Sequence, residues 1–380
     1  MIIICEPQCI GFEHAGFNSV LMKTVEKAFG EDILFLGEET HIERVKDIMG
    51  ADGKINYEVI DVPPREQPDL GRLRNEFRLT KDVFILADSL NCERLIFSSI
   101  TRPGLISVKY YIRKFRKVQV LVIPHSLLDK INELPLSRNF IFYFKFWLKF
   151  FNSKQLTYLL LGKTIKDELV KELPSIGEYT GYVDHPFFFK TFELDDSYMD
   201  KELVFGFLGV GYRRKGIEDF IKLSKHVKVQ GYTKKVKFIL AGFIAESDME
   251  IEENPFLTAS RTPLKQDDYF KYLEKINYAL FFHKAEDYRF TASGVFFDAI
   301  SYLKPIIALK NPFIQYYFDL MGDIGYLCKD YKEMEQVVMN IIENPDKKRY
   351  QKQQLNLKEG REKVSIAKIA EELRRLWPKN

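Results

Sequence analysis

The chain has 380 residues, 46% of them hydrophobic and 29% charged, with a net charge of only +3. That length suits two domains, the composition is that of an ordinary globular protein, and the small net charge argues against a general nucleic-acid binder. Four cysteines (Cys5, Cys9, Cys92, Cys328) lack paired spacing, which suggests neither a disulfide framework nor a zinc site, and no metal is expected.

Taken in order, MIIIC (1–5) reads as a first strand. It has no basic lead and is too short for a signal peptide, so a cytoplasmic location is expected. Asn18 to Phe29 reads as the helix that follows. ILFLG (33–37), YEVI (57–60), VFILA (83–87), VQVLVIP (118–124) and TYLLLG (157–162) continue as near-continuous apolar runs, the pattern of strands covered on both faces. The stretch 178–200 is aromatic, acidic and unpatterned. A second series then starts with LVFGFLGVG (203–211) and runs through VKFILAG (236–242), YALFF (278–282), PIIAL (305–309) and IGYLC (324–328). Alternation of strands and helices predicts an α/β fold of two Rossmann-like domains facing each other across a cleft. The domains are placed at 1–190 and 191–362, with a C-terminal helix at 363–380 that packs back on the first. Ile366, Ile369, Leu373 and Trp377 give that helix its apolar face.

One segment stands apart. SRNFIFYFKFWLKFFNSK (137–154) reads as an aromatic helix too short to span a bilayer, hence either a core or dimer helix or an interfacial one. KYYIRKFRK (109–117) adds basic and aromatic residues nearby in sequence, which makes a peripheral contact with the inner face of a membrane through 137–154 a candidate.

Two stretches of the second series have the chemistry of anion sites. After its first strand come Gly209 and Gly211, then Arg213, Arg214 and Lys215 before Gly216 and a helix. A glycine-bearing turn with cations suits a diphosphate, which needs close backbone approach and neutralising charge; the alternative is a solvated basic turn. Further on, AEDYRFTASGVFFDAISYLKPIIA (285–308) places Ser293 as an N-cap and Gly294 before a buried helix. The amides of Ser293, Gly294 and Val295 then form a helix start able to hold an anion. Asp298, four residues beyond Gly294, shares its helix face. The alternative is a capped core helix with one acid in solvent.

With these residues in view, the second half resembles the donor domain of GT-B glycosyltransferases, in particular the retaining family that builds bacterial polysaccharides (family 4-like, group 1). Gly209 and Lys215-Gly216 hold that family's spacing, with Val210 in place of an arginine. Asp298-Ala299 and Pro305-Ile306-Ile307 fit the second half of its two-glutamate motif, and Phe290 stands where the first glutamate would be. The resemblance implies transfer of a sugar from a nucleotide-sugar donor to a glycan or lipid-linked acceptor in cell-surface polysaccharide synthesis. The donor is a substrate, and no cofactor is required. Lys215, helped by Arg213 or Arg214, then neutralises the leaving diphosphate, Asp298 holds the ribose, and Arg261 and Thr262 in the 260–264 loop face the base. In the first domain, Glu13, His14, Gly16 and Asn18 (an N-cap candidate) line the acceptor-side loop, and His125 at a strand's carboxyl end is a catalytic candidate, hydroxyl donor or general base. The alternative for each histidine is a structural role. His185 is read that way, and His41, His226 and His283 have no supporting neighbours. Two other readings stay open on the same fold: a catalytically silent subunit that binds a sugar nucleotide, and a nucleotide-sugar 2-epimerase.

Overall fold

All four side chains of the first strand are buried, Ile3 and Cys5 in the core on one face of the sheet and Ile2 and Ile4 in the core on the other, and the strand pairs on both edges: Ile2 lies opposite Ile33 on one neighbour and Arg94 on the other. The computed structural model describes residues 1–50, 53–63, 69–133, 143–190, 192, 202–246, 256–286 and 288–378. They form two units, one of Met1–Phe187, Phe290–Ala292 and Val364–Asn380, the other of Phe188–Arg289 and Ser293–Lys363. The expected start of the second domain, at 191, falls outside the described residues.

In chain order the first unit holds β1 (Ile2–Cys5), α1 (Ala15–Phe29), β2 (Ile33–Gly37), α2 (Glu39–Met49), β3 (Ile55–Val59), α3 (Asp69–Ser89), β4 (Arg94–Phe97), α4 (Arg102–Tyr111), β5 (Gln119–Val122), α5 (Phe144–Lys149), β6 (Leu156–Leu161), α6 (Lys163–Glu172) and β7 (Thr180–Val183). Its strands are all parallel, in the order β3-β2-β1-β4-β5-β6-β7. The second unit holds β8 (Leu203–Leu208), α7 (Ile217–Val229), β9 (Val236–Ala241), β10 (Leu257–Thr258), α8 (Gln266–Lys275), β11 (Tyr278–Phe281), α9 (Gly294–Ser301), β12 (Ile306–Leu309), α10 (Pro312–Met321), β13 (Gly325–Cys328), α11 (Tyr331–Glu343) and α12 (Lys347–Lys363). This sheet is also parallel, in the order β10-β9-β8-β11-β12-β13. The final helix, α13 (Ile366–Leu376), returns to the first unit, as the sequence predicts. Ile369, Ala370, Leu373 and Trp377 join the core between the first sheet and α1, while Ile366 is only half-buried.

Two expectations need correction. VFILA is not a strand but the last turns of α3: Leu79, Val83, Phe84 and Ala87 form its buried face, and Ile85 is exposed. The strand of this region is RLIF, β4, whose Arg94 is buried because its guanidinium lies over the Phe29 ring and donates to the Trp377 carbonyl. The aromatic segment 137–154 is helical only over Phe144–Lys149, and residues 137–142 lie outside the described residues. Phe150 is extended and Phe151 adopts a φ of 60°, which an α-helix does not allow.

Candidate functional site

In an open parallel sheet, ligands bind at the carboxyl edge where neighbouring strands connect away in opposite directions. That point lies between β1 and β4 in the first sheet and between β8 and β11 in the second. The two points are furnished in opposite ways.

In the first sheet the position is taken by the protein's own anion. Glu6, directly after β1, is fully buried. Its oxygens accept from the amides of Gln8 and Cys9 (both 3.2 Å), Asn18 Nδ2 (3.2 Å), Ser98 Oγ (2.9 Å) and Ser99 Oγ. Asn18 Nδ2 also lies 2.9 Å from His41 Nε2, and His41 Nδ1 lies 2.9 Å from the Gly11 carbonyl. Asn18 is therefore not an N-cap but a buried residue inside α1, whose cap position is His14 with a φ of 54°. The expectation that His41 lacks neighbours is corrected by the same bonds. Glu6, Cys9 and His14 bring metal-ligating atoms within 4.8 Å of one another, but the carboxylate is already committed to five donors.

Beside this hub, three histidines gather on Phe17. His125 lies 4.3 Å from His14 and 4.8 Å from Phe17 between ring centroids, and His185 lies 5.3 Å from Phe17. Burial first, then His14 and His185, push the His125 pKa well below the usual imidazole value. His125 is thus neutral at physiological pH, a hydrogen-bonding group rather than a ready proton acceptor, and its Nδ1 has no partner among the described residues. His185 is lowered to about 4 by burial and bonds the Pro186 carbonyl. Glu13 and Gly16 of the same loop are exposed.

In the second sheet the equivalent position is cationic. Gly209 directly follows β8, and its φ of 79° suits glycine. A Cβ there would stand 2.8 Å from Val295 Cγ1 and 3.9 Å from Lys215 Nζ. One small residue therefore brings the lysine and the first turn of α9 to the same point. Gly216 makes a second close approach: a Cβ on it would collide with Phe282, just past β11. Burial, then the charge of Arg214, lower the Lys215 pKa to about 8. No carboxylate among the described residues pairs with this lysine. His283, after β11, is fully buried and lowered to about 3 by desolvation, Lys215 and Arg214, in that order. Its ring stacks on Tyr288 at 3.8 Å, and the Arg214 guanidinium lies 5.9 Å from the Tyr288 ring. The expectation that His283 stands alone is corrected.

The start of α9 is open. Ser293 occupies the cap position, yet its hydroxyl caps nothing, contrary to expectation. Nothing among the described residues accepts from the amides of Gly294 or Val295, and Gly294 is exposed. Asp298, one turn on, accepts from the Tyr269 hydroxyl of α8 at 2.7 Å through one oxygen. Burial raises its pKa to about 6, against the pull of Tyr269 and Lys190. The remaining predicted residues divide. Arg213 is held by Glu218 and Glu246. Gly211 extends the β8–β9 pairing through Phe243. Arg261 donates to the Glu246 carbonyl, and Thr262 turns back on Ser260, so the 260–262 turn meets Arg213 at Glu246.

The geometry joins Gly209, Arg214, Lys215, His283 and the α9 start into one anion-complementary corner, which sequence reasoning had assembled without His283 and Tyr288. The signal for His283 was present: it follows the apolar run YALFF at a strand's carboxyl end, the same placement that singled out His125.

Sheet order, strand direction and the returning helix define the GT-B fold, two Rossmann-like units in one chain. By sequence, no protein family and no curated protein matches the chain. By structure it is similar to HepE of Anabaena in complex with UDP-glucose, at 14% identity over 99% of each chain with a TM-score of 0.66. It is also similar to sucrose-phosphate synthase of Thermosynechococcus elongatus (12% identity, 99% of this chain and 98% of that one, TM-score 0.67). A third is α,α-trehalose 6-phosphate synthase of Burkholderia multivorans (8%, 99% and 98%, TM-score 0.64). At such identities the likeness establishes the fold.

Proposed function

We propose that the protein is a glycosyltransferase whose second unit holds a nucleotide-sugar donor and transfers its sugar, with retention, to a glycan or lipid-linked acceptor of cell-surface polysaccharide synthesis. The observation that carries this reading is the contrast between the two sheet edges. The first is filled by a carboxylate with its own set of donors; the second offers Lys215, which no carboxylate among the described residues pairs, beside the open first turn of α9. A diphosphate is the anion that this corner complements. As the bond from the sugar's anomeric carbon to the diphosphate oxygen breaks, negative charge grows on the leaving group, and a preorganised ammonium and helix start stabilise it. Asp298 takes the ribose hydroxyls through the oxygen not bonded to Tyr269. Neutral His125, in the first unit, suits hydrogen bonding to a hydroxyl better than a base's role, given its depressed pKa. HepE, solved with UDP-glucose, shares the fold and supports a uridine diphosphate donor.

A second reading, a subunit that binds a sugar nucleotide without turning it over, is favoured by one observation. Phe290, at the position of the related family's first glutamate, is buried in the core of the first unit, so no carboxylate from that position reaches a sugar. Incubation with UDP-glucose and other nucleotide sugars separates the two. Slow release of free sugar and nucleotide supports the transferase, stabilisation against heat without release supports the silent subunit, and neither effect with any nucleotide sugar removes both.

A further inference from the structure

We infer that a face of the first unit, formed by the end of α4 and the turn after α5, docks on an anionic lipid bilayer. Phe150 (43% exposed), Phe151 (48%) and Tyr110 (47%) stand in solvent there. Each carries a cation: Arg113 lies 5.5 Å from the Phe151 centroid, Lys114 lies 4.3 Å from Tyr110, and Lys149 lies 5.2 Å from Phe150. The display is built rather than incidental. Lys109, 2% exposed, donates to the carbonyls of Trp147 and Phe150 (2.7 Å for the latter) and to Asn152 Oδ1 at 2.6 Å. A buried ammonium is costly unless its donors are all used, and here all three fix the turn that turns both phenylalanines outward. Phe151 holds a positive φ in doing so, a conformation that persists only where its surroundings impose it.

Charge decides the occupant. Residues 109–117 contain five cations and no acid, and 143–154 contain three cations and no acid. Of these, only Lys145 is in an ion pair among the described residues, with Glu172. A symmetric contact between two copies would press this positive face against itself. A bilayer with anionic headgroups meets both halves of the pattern: aromatic rings settle at the interface, and the cations reach the phosphates. No helix among the described residues is long and apolar enough to cross a membrane, so the contact is peripheral.

The test is sedimentation of the full chain with vesicles of equimolar phosphatidylglycerol and phosphatidylcholine, against vesicles of phosphatidylcholine alone. The wild type is expected to sediment with the former and not the latter, and to be released by salt. Lys114→Glu with Lys149→Glu is expected to lower the partition coefficient at least about 25-fold, roughly fivefold for each cation lost. Phe150→Ser with Phe151→Ser, at exposed positions that leave the fold intact, is expected to abolish binding. Equal sedimentation with both vesicle types, or wild-type binding by the phenylalanine variant, overturns the inference. So does a wild-type dimer in analytical ultracentrifugation that the phenylalanine variant disperses, since the face is then a self-contact.

Discussion

Replacing Lys215 with methionine should make the empty protein more stable and the nucleotide complex weaker. Burial and Arg214 lower this ammonium from 10.5 to about 8 in the folded chain. The difference, 10.5 − 8, is about 2.5, which at 1.36 kcal/mol per pKa unit is on the order of 3 kcal/mol held against the folded state. The sign follows from proton counts. Between pH 8 and 10.5 the unfolded lysine is charged and the folded one is not, so this group's penalty is complete below pH 8 and fades as pH rises to 10.5. Methionine keeps the hydrocarbon stem beside Gly209 and Val295 and removes the charge. Urea denaturation at pH 7 without ligand should therefore show the variant more stable by about 1–3 kcal/mol, an advantage that shrinks above pH 8. Calorimetric titration with UDP should show a loss of roughly ten- to a hundredfold, the worth of one charge-assisted contact. Wild-type affinity should also fall as pH rises through about 8, where the free ammonium is lost. If a donor turns over, kcat should drop more than donor affinity. A variant that is less stable at pH 7 yet binds UDP like the wild type would refute the assignment of Lys215 to the diphosphate.

Asp298→Asn should keep the fold, since the amide oxygen still accepts from Tyr269, and should weaken UDP binding about tenfold in the same titration. Because burial raises this carboxyl to about 6, its charged form is disfavoured in the fold, so donor affinity should decline as pH falls through 6; a flat pH profile would exclude it from the site. Glu6→Gln should cost about 2–4 kcal/mol in urea denaturation, because an amide group turns donor against donor where five hydrogen bonds now converge. Stability within about 0.5 kcal/mol of wild type, the usual range for surface changes, would show that the hub is not structural.

Most strands were legible because a fully buried parallel strand must be a continuous apolar run, and Ile2–Cys5 or Ile306–Leu309 can hardly be anything else. VFILA failed by the same rule: five apolar residues do not distinguish a strand from the buried flank of a long helix. β4 was hidden by Arg94, which reads as a surface residue until Phe29, Glu31 and Trp377 close around it from distant parts of the chain. The anion corner was partly visible, since Lys215 and the Gly294 helix start carry local signatures. What the sequence concealed was pairing. Nothing local reveals that Arg213 spends its charge on Glu218 and Glu246 while Lys215 has no acid among the described residues, or that Tyr269 reaches Asp298 from another helix. Glu6 could have been noticed as a charged residue directly abutting the apolar first strand.

The returning helix α13 has a consequence for how the chain is made. Its Leu376 fills the space that a side chain on Gly181 of β7 would need, and Arg374 donates to the carbonyls of Lys27 and Ala28 at the end of α1. The first unit is thus closed by residues that follow the entire second unit. At ~5–20 residues per second, a ribosome delivers α13 on the order of ten seconds or more after Phe187. During that interval the outer face of α1 and the Gly181 notch lack their cover, and the nascent first unit exposes apolar surface that only the completed chain can hide. A fragment ending at Phe187 should behave as a permanent version of that intermediate, and supplying residues 364–378 as a separate peptide should rescue it.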